Sequence, residues 1–124
     1  MRALVAQEPG RADLRRDLSV SLGNLGNLAR AAGDGAGARG YFAESLEIRR
    51  ALVAQEPGRA DLRVDLAITY WNQYLLAVRQ DERHWLDQVL ETLRPLREGG
   101  LVHGQLDQLW GLASETLRSS AAAD

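Results

Sequence analysis

Few residues in this 124-residue chain can do chemistry, and their spacing limits what that chemistry is. Only two histidines occur, His84 and His103. His84 has Asp81 three residues before it and Asp87 three after, which offers a weak surface metal contact or, on the other reading, a capping or solvated imidazole. Neither histidine pairs with a second one, and the chain has no cysteine, so disulfides, thiolate metal sites and a Cys–His nucleophile are excluded. The run Gly33-Asp34-Gly35-Ala36-Gly37 opens a helical stretch, where backbone N–H groups can cradle a phosphate. It lacks the Lys-Ser/Thr end of a P-loop, however, and no strand precedes it. Glu44, Glu47, Glu56 and Glu91 stand among arginines at helical spacing, the pattern of a solvated face. All fifteen basic residues are arginine. That suits bidentate carboxylate or phosphate recognition, and abundant Ala and Gly make GC-rich coding the simpler account. No nucleophile, acid–base pair or metal set emerges. The expectation is a non-enzyme with no catalytic residues, no metal and no cofactor.

Positioning elements follow from composition and pattern. An apolar share of 45% dominated by Leu and Ala, with only 6% aromatic residues, argues for an all-α chain. Its length fits a single domain. With a formal charge of −2 and acids interleaved with bases, no basic face stands out for nucleic acid. No run approaches the roughly 20 apolar residues of a membrane span, and no signal-peptide core opens the chain, so a cytoplasmic, non-membrane location is expected.

A long internal duplication organises the chain. Residues 2–18 read RALVAQEPGRADLRRDL and residues 50–66 read RALVAQEPGRADLRVDL, identical at sixteen of seventeen positions with an offset of 48. Duplication at such a period signals a repeat array, in which each unit buries its apolar face against its neighbours. Pro9-Gly10 and Pro57-Gly58 are turn dipeptides that separate helices. A first helix over about 11–32 has Leu14, Leu18, Leu22, Leu25, Leu28 and Ala32 in one stripe, read as its inward face. Gly33 suits a left-handed cap and Asp34 caps the next helix. That helix, about 35–55, directs Ala38, Phe42, Ser45, Ile48, Leu52 and Val53 inward. Gly35, Gly37 and Gly40 in its first turns cost about 1 kcal/mol each and imply either fraying or a close helix approach. Leu62, Leu66, Tyr70, Gln73, Leu76 and Ala77 then retrace the first helix, with Asp81 as a cap. Leu86, Val89, Leu90, Leu93 and Leu96 retrace the second, and Pro95 kinks or finishes it before Gly99-Gly100. A last amphipathic stretch, 102–118, carries Leu106, Leu109, Trp110, Ala113 and Leu117 and has no upstream counterpart. It is expected to cap the array, with Trp85 and Trp110 buried between the last two helices. The expected organisation is one helical domain over 1–120: 1–9 the end of a preceding repeat helix, 10–57 the first full repeat, 58–100 a degenerate second repeat, and 101–119 the capping helix. A disordered tail is expected over 120–124.

Residues 19–48, SVSLGNLGNLARAAGDGAGARGYFAESLEI, resemble a tetratricopeptide repeat. The motif's large residue, Leu-Gly pair, small residue, aromatic and second small residue fall on Leu22, Leu25, Gly26, Ala38, Phe42 and Ser45. Gly26 and Ala38 let the paired helices approach, and Phe42 fills the gap between units. Leu22 stands where the motif has Trp, Ala29 where it has Tyr, and the expected proline is delayed to Pro57. The 48-residue period resembles the long-repeat variety of kinesin light chains and of many bacterial signalling proteins. The likeness covers residues 2–98, by register alone in the second unit, where Gln73-Tyr74 replaces Leu-Gly. It implies antiparallel helix hairpins stacked as a short α-solenoid.

The resemblance also implies a function. In the family, extended segments of partner proteins lie along the concave face made by the first helix of each unit, and motif positions place Asn24, Asn27, Arg30, Trp71, Asn72 and Arg79 there. An Asn amide can pair with any peptide backbone, and Arg selects acidic groups. The same asparagines also read as solvated polar positions on an amphipathic helix, and Trp71 as either a groove anchor or a core residue. The leading expectation is a protein-interaction module binding a peptide or protein segment, at the C-terminal end of a longer array. The alternatives are self-assembly as a homodimer through exposed repeat ends, and a regulatory or sensor tail of a larger signalling protein.

Overall fold

The computed structural model describes residues 9–77, 81–101 and 104–123. These form five helices and no strand: α1 Pro9–Ala31, α2 Gly35–Gln55, α3 Ala60–Leu76, α4 Glu82–Glu98 and α5 Gly104–Ala123. The fold is all-α, of the helix-hairpin repeat class. The chain divides into two compact units, Met1–Leu62 and Arg63–Asp124, with the boundary inside α3.

In the first unit, α1 and α2 form an antiparallel hairpin. Pro9 opens α1 two residues earlier than the turn reading had it, as suits a residue with fixed φ and no N–H at the first helical position. At the other end Gly33 adopts φ +82°, and the amides of Gly33 and Asp34 bond back to the carbonyls of Arg30 and Ala29. Asp34 then caps α2, its Oδ1 accepting the Gly37 N–H at 2.9 Å. A Cβ on Gly37 would collide with the Asp34 carboxylate, whereas one on Gly40 would meet nothing within 4 Å. Gly37 therefore serves the cap, none of the three glycines marks a close helix approach, and α2 is regular from Gly35.

The hairpin interface is narrow-sided. Ser19 and Gly26 of α1 are buried against an α2 face of Ala38, Phe42, Ser45, Leu46, Arg49 and Leu52. A Cβ on Gly26 would lie 2.6 Å from the Phe42 ring, so the ring rests directly on the α1 backbone. Phe42 thus seats within the hairpin, where the motif had suggested a gap between units. One turn further along, Ser45 Oγ donates to the Ser19 carbonyl at 2.9 Å. Ser19 Oγ accepts from Arg49 Nε at 3.1 Å and donates to the Arg16 carbonyl at 2.7 Å.

Packing through Ser19 and Gly26 overturns the inward reading of the leucine stripe. Leu14, Leu18, Leu25 and Leu28 are exposed, Leu22 is half-buried and Ala32 is exposed. The leucines do share one face of the helix, but α2 lies about a third of a turn away from it. Helical periodicity groups side chains without saying which group faces the neighbour. Past Pro57-Gly58, Arg59 bridges Asp61 at 2.7 Å and Glu56 at 3.1 Å, and Arg16 reaches Asp61 at 3.7 Å. The Arg59 hydrogen bond holds the Asp61 carboxyl below its ordinary value.

In the second unit, α3 and α4 run antiparallel. Tyr70 and Trp85 rings lie 6.1 Å apart, and Arg63 Nη1 donates to the Thr92 carbonyl at 3.4 Å. Val64, Leu66, Ala67, Thr69, Tyr70 and Gln73 of α3 are buried, as are Leu86, Val89, Leu90, Thr92 and Leu93 of α4. Asp81 stands at the N-cap of α4, but its side chain makes no cap hydrogen bond. Pro95 sits in the last turn, lacking an N–H of its own while its carbonyl still accepts the Gly99 N–H, and α4 ends before Gly99 and the left-handed Gly100. α5 packs on α4 through Leu106, Leu109 and Ala113, with Arg97 bonded to Asp107 at 3.3 Å and stacked 4.8 Å over the Trp110 ring. Trp110 therefore lies between the last two helices as expected, while Trp85 turns instead to Tyr70 of α3. α5 also continues to Ala123, where a structureless tail was expected, because the Ala-rich end has high helix propensity.

Candidate binding surface

Three faces can be distinguished around α1. One carries Ser19 and Gly26 and is spent on α2. A second carries the exposed leucines. The third carries Asp13, Asp17, Asn24 and Asn27, all exposed. Of the residues singled out from the sequence, Asn24, Asn27 and Arg30 lie in the last two turns of α1 and reach solvent. Arg30 Nη2 donates to Asn27 Oδ1 at 3.2 Å. This bond uses the Asn27 carbonyl and leaves its amide N–H donors directed elsewhere, beside the further N–H groups of the guanidinium. The pair is thus a donor-rich patch with one fixed rotamer, suited to peptide carbonyls and to carboxylates.

On α3, Trp71 and Asn72 are both half-buried. The Trp71 ring packs on Tyr74, with centroids 5.0 Å apart. Burial, and then the nearby Glu82 charge, push the Tyr74 hydroxyl above its ordinary value, so it stays a neutral donor through the neutral range. Leu75, one residue on, is exposed. The Trp71–Tyr74 pair was not among the expectations from sequence. The signal lay in the i, i+3 aromatic spacing, which sets two rings on one side of a helix. Arg79 lies outside the described residues. Asn24 and Asn72 occupy the same position of the 48-residue repeat, but the position of Asn27 is taken by Leu75 in the second copy. The polar patch of α1 is therefore replaced on α3 by an aromatic-apolar one.

His84 is exposed, with its ring 4.9 Å from Trp85 in an edge-on arrangement; His103 lies outside the described residues. Among the described residues no group of three potential ligands is placed to hold a metal ion. Nor is any described helix long and apolar enough to cross a membrane.

A hairpin with a Gly-on-Phe contact, a left-handed glycine between its helices and a small buried residue one turn beyond the aromatic defines a class of helical repeat. Residues 18–56 match the tetratricopeptide repeat family, a span that runs from Leu18 in α1 to the end of α2. No curated protein and no solved structure matches the chain. Repeats of this type generally mediate protein–protein interaction and are typically non-catalytic.

Proposed function

We propose that the chain is a protein-interaction module that takes a peptide or protein segment on the outer face of α1, at Asn24, Asn27 and Arg30. Trp71 and Asn72 of α3 supply a second, more apolar contact surface, with Arg79 as its expected basic residue. The observation that carries the reading is the exposed Asn27–Arg30 pair, which orients one guanidinium and one amide without consuming their outward donors. Such a patch favours an extended segment carrying an acidic side chain, since Arg pairs bidentately with carboxylates while the amides accept any backbone. Selection from a random peptide library, followed by calorimetry on the best binder, tests this directly. Asn27→Ala and Arg30→Ala are each expected to weaken that binding about tenfold, roughly 1.4 kcal/mol, without lowering thermal stability. If both variants bind the selected peptide like the wild type, the surface has been misplaced.

Self-association is the second reading. The observation favouring it is the row of leucines exposed along α1.

A further inference from the structure

One dipeptide in the turn between α1 and α2 has backbone chemistry of its own. Among the aspartates and asparagines of the chain, only Asp34 precedes a glycine. The carboxyl carbon of an aspartate can be attacked by the nitrogen of the next residue to close a five-membered imide, and the main steric obstacle is the Cβ of that next residue. Gly35 has none. Asp34 is exposed, so water reaches its carboxyl group. Gly35 is the first residue of α2, so its N–H has no carbonyl within the helix to bond.

The fold opposes the same reaction. At Asp34 ψ is 79°, which sets Cβ and the Gly35 nitrogen on opposite sides of the Cα–C bond, whereas the ring needs them eclipsed. The cap fixes that arrangement from both ends. Oδ1 accepts the Gly37 N–H at 2.9 Å, and the Asp34 carbonyl accepts the Ala38 N–H at 3.0 Å. Gly37 makes the closure sensitive. A Cβ there would overlap Oδ2 and lie 2.8 Å from Cγ, so the carboxylate keeps its place only because that residue is bare.

We infer that Asp34–Gly35 is a site of spontaneous isoaspartate formation that the α2 cap holds closed, so that modification follows opening of this turn. The Gly35 nitrogen bonds to Asp34 Cγ, and one carboxyl oxygen leaves as water with the amide proton and a proton from solvent. Water then opens the imide and returns both protons. Addition at Cγ restores aspartate. Addition at the former main-chain carbonyl breaks its bond to the Gly35 nitrogen and leaves the chain running through Cβ. The net change is an isomerisation, with no oxidant or cofactor and no change of mass. In the product the carboxylate and carbonyl that hold Gly37 and Ala38 have exchanged places, and the turn is one carbon longer, so the original cap is not recovered.

The full chain incubated at neutral pH, in buffer and in unfolding urea, tests this by peptide mapping, where the isoaspartyl peptide separates from its parent at equal mass. Isoaspartate should appear at residue 34 in urea, and at least about tenfold more slowly in buffer, because only the open fraction reacts. Gly37→Ala, which displaces the carboxylate, should raise the rate in buffer severalfold with helicity retained by circular dichroism. Gly40→Ala, whose Cβ meets nothing within 4 Å, should not. Gly35→Ala should suppress the product in both solvents. Absence of product in urea overturns the reactive bond, and equal rates in buffer and urea overturn protection by the fold. A Gly37→Ala rate no higher than that of the wild type overturns the cap as its latch.

Discussion

At the scale of single residues, the α1–α2 hairpin is set by what is missing from Gly26. Its absent Cβ admits a fully buried Phe42 ring, and Phe42 has no slack because the same α2 face carries Ala38, Ser45 and Leu46, all buried. Adding a methyl group therefore forces a shift of packed atoms, which costs about 1–3 kcal/mol, against a helix-propensity gain of about 1 kcal/mol. Gly40 is the matched control, since a Cβ there meets nothing within 4 Å and only the propensity gain remains. Urea denaturation should show Gly26→Ala lowering stability and Gly40→Ala raising it; a shared sign would mean that the ring does not rest on the α1 backbone. The Gly26–Phe42 contact was legible because an aromatic and a glycine at motif spacing have few other uses. The node of Ser19, Ser45 and Arg49 was only partly so. Ser45 was placed inward, but a serine such as Ser19 in a helix carries no signal of burial, and Arg49 reads as solvated until a buried hydroxyl is found beside its Nε. The repeat itself shows how the node is dispensable as a pair. At the positions of Ser19 and Ser45 the second copy has Ala67 and Leu93, both fully buried, so the two hydroxyls are lost together, and Arg97, at the position of Arg49, bonds Asp107 instead.

At the scale of elements, the two helices of the first hairpin were legible to within a residue or two, since turn dipeptides, the Asp34 cap and Leu periodicity all agree there, whereas α5 runs past its expected end to Ala123. Their orientation was less so. The leucines of α1 share a face, yet the contact with α2 runs through smaller residues beside them, because Gly and Ser permit the closer approach. Likewise, Trp85 was expected against the last helix and lies against Tyr70, since an aromatic at a helix's first turn can face either neighbour. The candidate binding patch was legible as exposed positions only; the Asn27–Arg30 bond and the Trp71–Tyr74 stack needed coordinates. A direct consequence of orientation is that one residue type in one local sequence has two energetic roles. Leu66→Ala empties a buried site and should cost about 2–5 kcal/mol. Leu18→Ala, in the matching position with the side chain 53% exposed, should cost well under 1 kcal/mol when measured at low micromolar concentration. Equal losses in chemical denaturation would show that the two stripes are covered alike.

At the scale of the whole molecule, the chain comprises two compact units whose boundary, between Leu62 and Arg63, falls inside α3. α3 runs without a break from Ala60 to Leu76, so its first turn carries residues of both units. Loss of the first unit alone would break that turn, expose Leu62, which is 2% exposed in the fold, and restart α3 without its opening residues. A linker would let the units unfold separately; a helix makes them share a cost. All three tryptophans, Trp71, Trp85 and Trp110, lie in the second unit, so their fluorescence reports on it alone, while far-UV circular dichroism reports on both. Phe42→Ala destabilises only the first unit directly, by about 3–5 kcal/mol. If α3 couples them, the tryptophan transition in urea moves to lower concentration together with the dichroism transition, and the two remain superimposable. A fluorescence midpoint that stays in place while the dichroism curve splits in two would mean that the helix can be cut at Leu62 at little cost, and that each hairpin holds its own stability.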